Sequence, residues 1–187
     1  MKKTLRAQAL ARRDAISKDD HEQWSFGICE VLVKLFYSQN LTGKKIALYN
    51  AIRSEADITP VLHALDTEGG CVALPVVDSS RQGLGFYRFH SQLDLEEGAF
   101  GVLEPEKIEE VVPQIIIVPL VAFDKTGHRL GYGKGYYDAT LNAQRAANPS
   151  MLAIGVGFAL QEVESIPVGE LDAKLDAIIT ESGLITF

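Results

Sequence analysis

Ile115-Ile116-Ile117-Val118 is a run of four apolar residues without a polar position, and Pro119 follows it directly. An apolar run that does not alternate with polar residues is typical of a strand covered on both faces of its sheet. Short apolar runs recur elsewhere in the chain, and turn-forming residues bound several of them. We therefore predict strands at residues 46–49, 71–75, 85–89, 115–118, 153–157 and 177–180.

Helical segments precede and separate these strands. Residues 2–15 are rich in Leu, Ala, Arg and Gln and contain no Gly or Pro, which predicts a first helix. Ser17 and Asp20 resemble a capping box before a second helix, and residues 59–66 predict a third. Helices between strands indicate parallel crossovers, so we predict an α/β fold, a three-layer sandwich with a mostly parallel central sheet flanked by helices. Ligands of such sheets bind beyond the carboxyl ends of the strands, which directs attention to the residues after Val118.

Charge and length restrict the classes of function. The 187 residues suit one domain, and a chain of this size buries roughly 70% of the surface that its unfolded form exposes. Its net charge of -7 would repel a nucleic-acid backbone, so we expect no nucleic-acid partner. An anionic ligand therefore requires a local basic patch. The densest group of basic residues comprises Lys2, Lys3, Arg6, Arg12 and Arg13.

The cysteines, the histidines and the apolar stretches argue against further classes of protein and site. Cys29 and Cys71 lie in apolar contexts without CxxC spacing, which is typical of small buried residues in a reducing compartment. No stretch approaches the roughly 20 apolar residues of a membrane span, and no signal peptide is evident, so we expect a cytoplasmic protein without a membrane partner. The four histidines lack metal-ligand spacing and no Ser/His/Asp set is evident, which argues against zinc and hydrolase chemistry.

The segment after the strand at 115–118 carries three glycines at alternate positions, Gly131, Gly133 and Gly135. Such glycines let backbone N–H groups approach an anion, and Arg129 and Lys134 supply positive charge beside them. A helix that begins near Gly135 would add the positive end of its dipole. The spacing is neither GxGxxG nor GxxxxGK[ST]. The alternative is a surface loop in which the glycines only make turns and the next acidic side chain only complements the helix dipole.

Residues 122–124, Gly127 and residues 129–138 read AFD, glycine and RLGYGKGYYD. This string resembles the signature of the 5-formyltetrahydrofolate cyclo-ligase family. The resemblance covers nearly the whole chain and implies a single domain over residues 1–187. Further similar segments are KKTLR at 2–6, NAIRSE at 50–55, GAFGVLEP at 98–105, FALQ at 158–161, residues 167–172 and IITE at 178–181.

The resemblance implies an enzyme that acts on two small molecules, ATP and 5-formyltetrahydrofolate, with Mg²⁺ as cofactor, and we expect a monomer. It implies Asp138 and Asp172 as metal ligands, and we assign Lys134 and Arg129 as catalytic residues. The implied folate-binding residues are Asn50, Glu55, Phe100 and Tyr137. The residues expected at ATP are Lys2, Lys3, Arg6, Arg129, Leu130, Gly131, Tyr132, Gly133, Lys134, Gly135, Tyr136 and Tyr137.

The implied reaction transfers the γ-phosphoryl group of ATP to the formyl oxygen, which then leaves as phosphate when the 5,10-methenyl ring closes. Two other functions remain open on the same α/β fold. One is a phosphosugar or nucleotide isomerase or transferase, and the other is a non-catalytic binding module for a nucleotide or folate. Without the resemblance, Glu55 would be interpreted as an exposed carboxylate before a helix, Phe100 as a core residue, and the basic first helix as a solvated face.

Overall fold

The structure is a computed structural model that describes residues 1–38, 43–77 and 83–187, with the exception of the side chain of Phe100. Within these ranges the α-helices are α1 (Lys2–Asp14), α2 (Lys18–Ser38), α3 (Thr59–Thr67) and α4 (Tyr136–Ala147). The strands are β1 (Lys45–Ala47), β2 (Cys71–Val77), β3 (Leu84–Arg88), β4 (Glu96–Glu97), β5 (Leu103–Glu104), β6 (Ile115–Pro119), β7 (Ala122–Phe123), β8 (Arg129–Leu130), β9 (Leu152–Val156), β10 (Ala177–Thr180) and β11 (Gly183–Thr186).

Seven of these strands form one mixed sheet in the order β11-β10-β9-β6-β1-β2-β3. The five strands from β10 to β2 pair in parallel, whereas β3 and β11 join the two edges in antiparallel orientation. The predicted mostly parallel sheet is therefore confirmed, and all six predicted strands occur in it. Strand β11 was not predicted, because most of its residues are exposed and it lacks the buried apolar run of the central strands.

Helices cover both faces of the sheet, which confirms the three-layer sandwich. Apolar residues of α2 and α3 pack on one face, against alternate side chains of β1, β2, β6, β9 and β10. The opposite side chains of the same strands pack with α4 and with the segments around Phe123 and Leu175. Helix α1 belongs to a smaller cluster, in which Ala9 meets Val121, Ala122 and Leu130.

Local sequence signals mark the starts of α2, α3 and α4. The backbone N–H of Asp20 donates to the Ser17 hydroxyl at 3.1 Å, so Ser17 caps α2. Helix α3 has a proline in its first turn, where the missing N–H would have no partner within the helix. Gly135 precedes α4 with φ at +75°, a left-handed conformation that glycine adopts without steric cost.

The connectivity creates a crevice between β1 and β6. From β1 the chain crosses through α3 to β2 on one side, whereas from β6 it continues to β9 and β10 on the other side. The loops that leave the carboxyl ends of β1 and β6 therefore diverge, which is the arrangement at which α/β sheets bind ligands.

The sequence also led us to expect two buried, unpaired cysteines and no membrane span. Cys29 and Cys71 are both free thiols. Cys29 is buried, as expected, and desolvation raises the pKa of its thiol to about 11, whereas Cys71 is only partly buried. No helix in the described ranges is long and apolar enough to cross a membrane.

Candidate functional site

A cavity of about 900 Å³ opens at the carboxyl ends of β1, β2 and β6. Pro75 and Val77 of β2 and Pro119 of β6 form its floor, and residues 49–53 and 55, which follow β1, form one wall. The opposite wall consists of all ten residues 129–138, which we name the glycine-rich loop. The cavity therefore lies where the topology of the sheet leads us to expect a ligand.

The glycine-rich loop approaches α1 closely. Gly133 has φ at +96°, and a Cβ atom on it would lie 3.1 Å from the guanidinium of Arg6. The Nε of Arg6 donates to the carbonyl oxygen of Gly131 at 2.6 Å. Position 133 therefore requires glycine for two reasons, because the backbone is left-handed and because a side chain would crowd Arg6. Arg6 both holds the loop and places a positive charge at the cavity.

Arg129 is more buried than its position before the glycines suggested, with 8% of its surface exposed. Its Nη1 donates to the carbonyl oxygen of Ala173 at 2.5 Å and its Nη2 donates to Asp138 Oδ1 at 2.9 Å. Burial lowers the pKa of the guanidinium, although the carboxylate of Asp138 opposes this effect. Arg129 therefore lines the cavity and also ties the start of α4 to the segment around residue 173.

The basic group of α1 separates into three environments. Lys2 and Arg6 are four residues apart, so they lie on the same face of the helix and both line the cavity. Lys3 is exposed and does not line the cavity, because one step along a helix rotates the side chain by about 100°. Arg12 is also exposed, and Arg13 is buried. Lys134 lies exposed on the glycine-rich loop at the cavity.

Asp138 and Asp172 both line the cavity. Asp138 Oδ1 accepts bonds from Arg129 and from the N–H of Ala173, and Asp172 Oδ2 accepts from the N–H of Gly169 at 2.6 Å and pairs with Lys2. Burial would raise the pKa of Asp172, but the bond from Lys2 and the other favourable contacts lower it. Asp172 is thus suited to remain a carboxylate at neutral pH.

A metal held by these two aspartates would need further ligands. Among residues 1–38, 43–77 and 83–187, no group of three or more His, Cys, Asp or Glu side chains is arranged to hold a metal ion. Mg²⁺ commonly binds through one or two carboxylates and completes its shell with phosphate oxygens and water. The donor set at Asp138 and Asp172 fits Mg²⁺ bound together with a phosphate ligand, and it does not fit a metal enclosed by protein alone.

Glu55 is buried, with 4% of its surface exposed, although its position before α3 suggested an exposed carboxylate. The N–H of Ile52 donates to Glu55 Oε2 at 3.0 Å, so the loop after β1 folds back over this carboxylate. Desolvation raises the pKa of Glu55 from 4.5 to about 7, although the bond from Ile52 and the nearby guanidinium of Arg13 oppose the rise. Glu55 therefore changes charge near neutral pH at the wall of the cavity.

The other expected folate-binding residues are placed as follows. Asn50 lines the cavity, and its Nδ2 donates to the carbonyl oxygen of Leu103 at 2.6 Å. Tyr137 lines the cavity at the start of α4, and desolvation raises the pKa of its phenol. The side chain of Phe100 lies outside what the structure describes. Its neighbour Gly101 lines the cavity.

Sequence reasoning missed Glu104, a second buried carboxylate at the cavity wall. Its Oε1 accepts from the N–H of Val77 at 3.2 Å, at the end of β2. A Cβ on Gly98 would lie 2.1 Å from the Glu104 carboxyl carbon, so glycine is required where the chain passes this side chain. The available signal was a glycine six residues before the glutamate, which is too common a pattern to assign a buried carboxylate.

Comparison with models of known protein families shows to which family the chain belongs. A family model described as the 5-formyltetrahydrofolate cyclo-ligase family matches residues 1–181. The chain belongs to this family. Members of the family are ligases, so the expectation of an enzyme is confirmed.

Named relatives agree with this membership. The 5-formyltetrahydrofolate cyclo-ligase of Haemophilus influenzae is 34% identical over 142 residues, which cover 73% of this chain and 75% of the relative. That of Escherichia coli K12 is 32% identical over 177 residues, which cover 91% and 95%. The solved structure of the 5,10-methenyltetrahydrofolate synthetase of Aquifex aeolicus is similar with a TM-score of 0.83, at 34% identity over 99% of this chain and 92% of the other. The synthetase of Mycoplasma pneumoniae is similar with a TM-score of 0.77, at 26% identity over 96% and 98%.

Proposed function

We propose that this enzyme converts 5-formyltetrahydrofolate to 5,10-methenyltetrahydrofolate with ATP and Mg²⁺, and that it releases ADP and phosphate. One observation carries the proposal. A single cavity is lined on one side by the glycine-rich loop with Arg6 and Lys134, and on the other side by Asn50 and Glu55. The first side has the chemistry of an anion site and the second has the chemistry of a site for a polar ring.

The terminal phosphates of ATP bind at the glycine-rich loop in this proposal. Backbone N–H groups of the loop and the start of α4 favour negative charge there. Lys2 and Arg6 of α1 and Lys134 of the loop surround the same space with positive charges. These local charges offset the overall charge of -7, which would otherwise disfavour a nucleoside triphosphate.

Asp138 and Asp172 would hold Mg²⁺ together with the phosphates. The contacts described for the two carboxylates use Oδ1 of Asp138 and Oδ2 of Asp172, so each side chain has a second oxygen to offer. When bound, the ion neutralises phosphate charge and orients the phosphoryl group for transfer. Arg129 keeps Asp138 oriented, because its guanidinium donates directly to that carboxylate.

The folate ring binds against the loop after β1. The N–H groups of the folate ring are donors, and this wall presents two acceptors to them, the carboxylate of Glu55 and the amide oxygen of Asn50. Tyr137 supplies a flat aromatic surface beside them. Fixing the ring at this wall places the formyl oxygen toward the glycine-rich loop, where the γ-phosphate would be held.

The chemistry follows from the poor leaving ability of an amide oxygen. The formyl oxygen attacks the γ-phosphorus of ATP, the bond to ADP breaks, and a formyl phosphate derivative results. N10 then attacks the formyl carbon and loses its proton, and the oxygen departs as inorganic phosphate. Lys134 lies nearest to the transferred group and stabilises its charge, since phosphoryl transfer depends mainly on positioning and electrostatics.

The test is an incubation with ATP, Mg²⁺ and 5-formyltetrahydrofolate. We expect the near-ultraviolet absorbance of the methenyl product to rise, with one ADP formed per product, and to stay flat when Mg²⁺ is omitted. Binding of both compounds without product would instead support a non-catalytic module, and stabilisation by phosphosugars but not by folate would support another enzyme on this fold. We also infer a monomer in the cytoplasm, which light scattering and cell fractionation would test.

A further inference from the structure

Arg53 is a positive charge on the wall of the cavity that presents acceptors to the folate ring. It lines the cavity together with Asn50 and Glu55 of the loop after β1, and its side chain is exposed. The other basic residues that line the cavity belong to α1 or to the glycine-rich loop. They are Lys2, Arg6, Arg129 and Lys134. Among the lining residues that the structure describes, Arg53 is therefore the positive charge on the ring side.

The backbone at Arg53 has a conformation that residues with a side chain rarely adopt. Its φ is +54°, and within the described ranges it is the one residue other than glycine with a positive φ. Two bonds close the turn around it, from the N–H of Glu55 to the carbonyl oxygen of Ile52 at 3.1 Å and from the N–H of Ile52 to Glu55 Oε2 at 3.0 Å. Strained residues of this kind cluster at binding and catalytic sites. The turn therefore holds the Arg53 side chain at the cavity in spite of the strain.

The guanidinium of Arg53 reaches across to the glycine-rich loop. It lies 5.3 Å from the centre of the ring of Tyr132, the residue between Gly131 and Gly133. It makes no ion pair with another residue that the structure describes. A cation–π contact at an exposed site is weak, whereas a guanidinium can donate two parallel bonds to a phosphoryl group. A phosphoryl group in the cavity would therefore displace the Tyr132 ring as the partner of Arg53.

Arg13 fixes the separation of the two segments that make this contact. It is buried near the end of α1, with 1% of its surface exposed. Its Nε donates to the hydroxyl of Ser54, directly after Arg53, at 3.0 Å, and its Nη2 donates to the Tyr132 hydroxyl at 2.6 Å. Its Nη1 donates to the carbonyl oxygen of Leu120, just beyond β6, at 3.2 Å. A buried charge with these partners holds the loop after β1 and the glycine-rich loop in fixed relative positions.

We propose that Arg53 is a further catalytic residue, which binds the phosphoryl group as it moves from ATP to the formyl oxygen. In this step the formyl oxygen forms a bond to the γ-phosphorus, the bond from that phosphorus to ADP breaks, and ADP keeps the electron pair. The transferred group thus moves from the glycine-rich loop toward the ring wall, where Arg53 stabilises its charge. Lys134 stabilises the same charge from the loop side. The inference rests on the proposed function.

The first experiment separates catalysis by Arg53 from its place in the turn. Arg53→Gly removes the guanidinium and suits the left-handed backbone, so the turn should be retained. We expect kcat to fall about 100-fold and both KM values to change less than about 3-fold, because the contact forms only during transfer. Guanidinium chloride, added well below the concentration that unfolds the protein, should restore part of the lost rate. Arg12→Ala, at an exposed arginine outside the cavity, is the control for both measurements.

The second experiment measures binding without turnover. ADP with aluminium fluoride mimics the planar phosphoryl group during transfer. Its affinity in the presence of Mg²⁺ and 5-formyltetrahydrofolate is measured by calorimetry for the wild type and for Arg53→Gly. We expect this affinity to be about 100-fold weaker in Arg53→Gly, and the affinity for ADP alone to be equal in the two proteins.

The outcomes distinguish Arg53 from the proposed function. Arg53 also borders an adjoining cavity of about 730 Å³, so a higher KM for the folate with an unchanged kcat would assign its ligand to that cavity and overturn the proposal. Equal affinity of the two proteins for ADP with aluminium fluoride would overturn it as well. If the wild type forms no product, the proposed function fails. Product formed at equal rates by wild type and Arg53→Gly rejects only the role of Arg53.

Discussion

Asp124 and Glu55 are equally buried carboxylates, with 3% and 4% of their surfaces exposed, but they lie in opposite electrostatic environments. Asp124 accepts four bonds, from the N–H and hydroxyl of Thr126 at 2.9 and 2.6 Å, from the N–H of His128 at 3.2 Å and from the N–H of Ile166 at 2.9 Å. Burial alone would raise its pKa, yet these bonds lower it. Glu55 has fewer donors, and its pKa is raised to about 7.

The difference shows what a buried carboxylate does in each region. Asp124 accepts bonds from backbone N–H groups of the turn between β7 and β8. These bonds fix the position at which the glycine-rich loop begins. Glu55 retains acceptor capacity at the cavity wall, and the fold bears the cost of ionising it. Carboxylates of the second kind are typical of functional sites, where a ligand supplies the missing donors. The aspartate of the AFD motif is therefore a structural residue, although it belongs to the segment that resembles the family signature.

The largest expected effect is on stability at Asp124. We expect Asp124→Ala to lower the free energy of unfolding by about 3 kcal/mol, because buried N–H donors would lose their acceptor. Asp124→Asn, which keeps one acceptor oxygen, should lose about half as much. Urea unfolding measures both values. A loss in Asp124→Ala no larger than that of an exposed substitution would show that the bonds of Asp124 are not what stabilises the turn.

Glu55→Gln should have the opposite effect on stability. A carboxylate whose pKa is raised on folding takes up protons more readily in the folded state, so wild-type stability falls as the pH rises from about 4.5 to 7. Relative to wild type, Glu55→Gln should gain stability over that window, by at most about 3 kcal/mol above pH 7, and it should lose activity toward the folate substrate. Unfolding curves at pH 4.5 and pH 8 give the difference. A constant difference between variant and wild type across these pH values would refute the raised pKa.

Lys134 differs from both carboxylates, because it lines the same cavity as Glu55 but is exposed. We expect Lys134→Ala to lower turnover by about 10-fold or more, equivalent to roughly 1.4 kcal/mol of transition-state stabilisation, with little change in unfolding. Lys125 is the matched control, since it is an exposed lysine on the turn between β7 and β8 that pairs with Glu162 and does not line the cavity. Equal rates for Lys134→Ala and Lys125→Ala would remove Lys134 from the mechanism.

The smallest effects should separate Lys2 from Lys3. Lys2 lines the cavity and pairs with Asp172, whereas Lys3 is exposed outside it. We expect Lys2→Ala to raise KM for ATP by about 3-fold or more and Lys3→Ala by less than about 2-fold, as for other partly exposed charges. Steady-state kinetics at fixed folate concentration measure both. A larger effect at Lys3 would mean that the nucleotide lies outside the cavity described.

Local patterns predicted the central sheet well, because its buried strands carry apolar runs that are visible without any structure. The start of α2 at Ser17 and of α4 after Gly135 was equally accessible, since capping and left-handed residues are local signals. Burial of Glu55 was not accessible, because residues distant in sequence, such as His21, pack against the loop around it. The buried network of Arg13 was missed for the same reason. Arg13 and its neighbour Arg12 carry the same charge, and only their tertiary contacts distinguish the buried residue from the exposed one.

In the proposed reaction, the cavity presents the γ-phosphate of ATP to the formyl oxygen of the folate bound at Glu55. Incubating the enzyme with ATP, Mg²⁺ and 5-formyltetrahydrofolate that carries ¹⁸O in the formyl group tests it most directly. Transfer to the formyl oxygen carries the label into inorganic phosphate, which mass spectrometry detects as a heavier ion formed in step with the methenyl product. Label found in water, with unlabelled phosphate, would contradict transfer to the formyl oxygen.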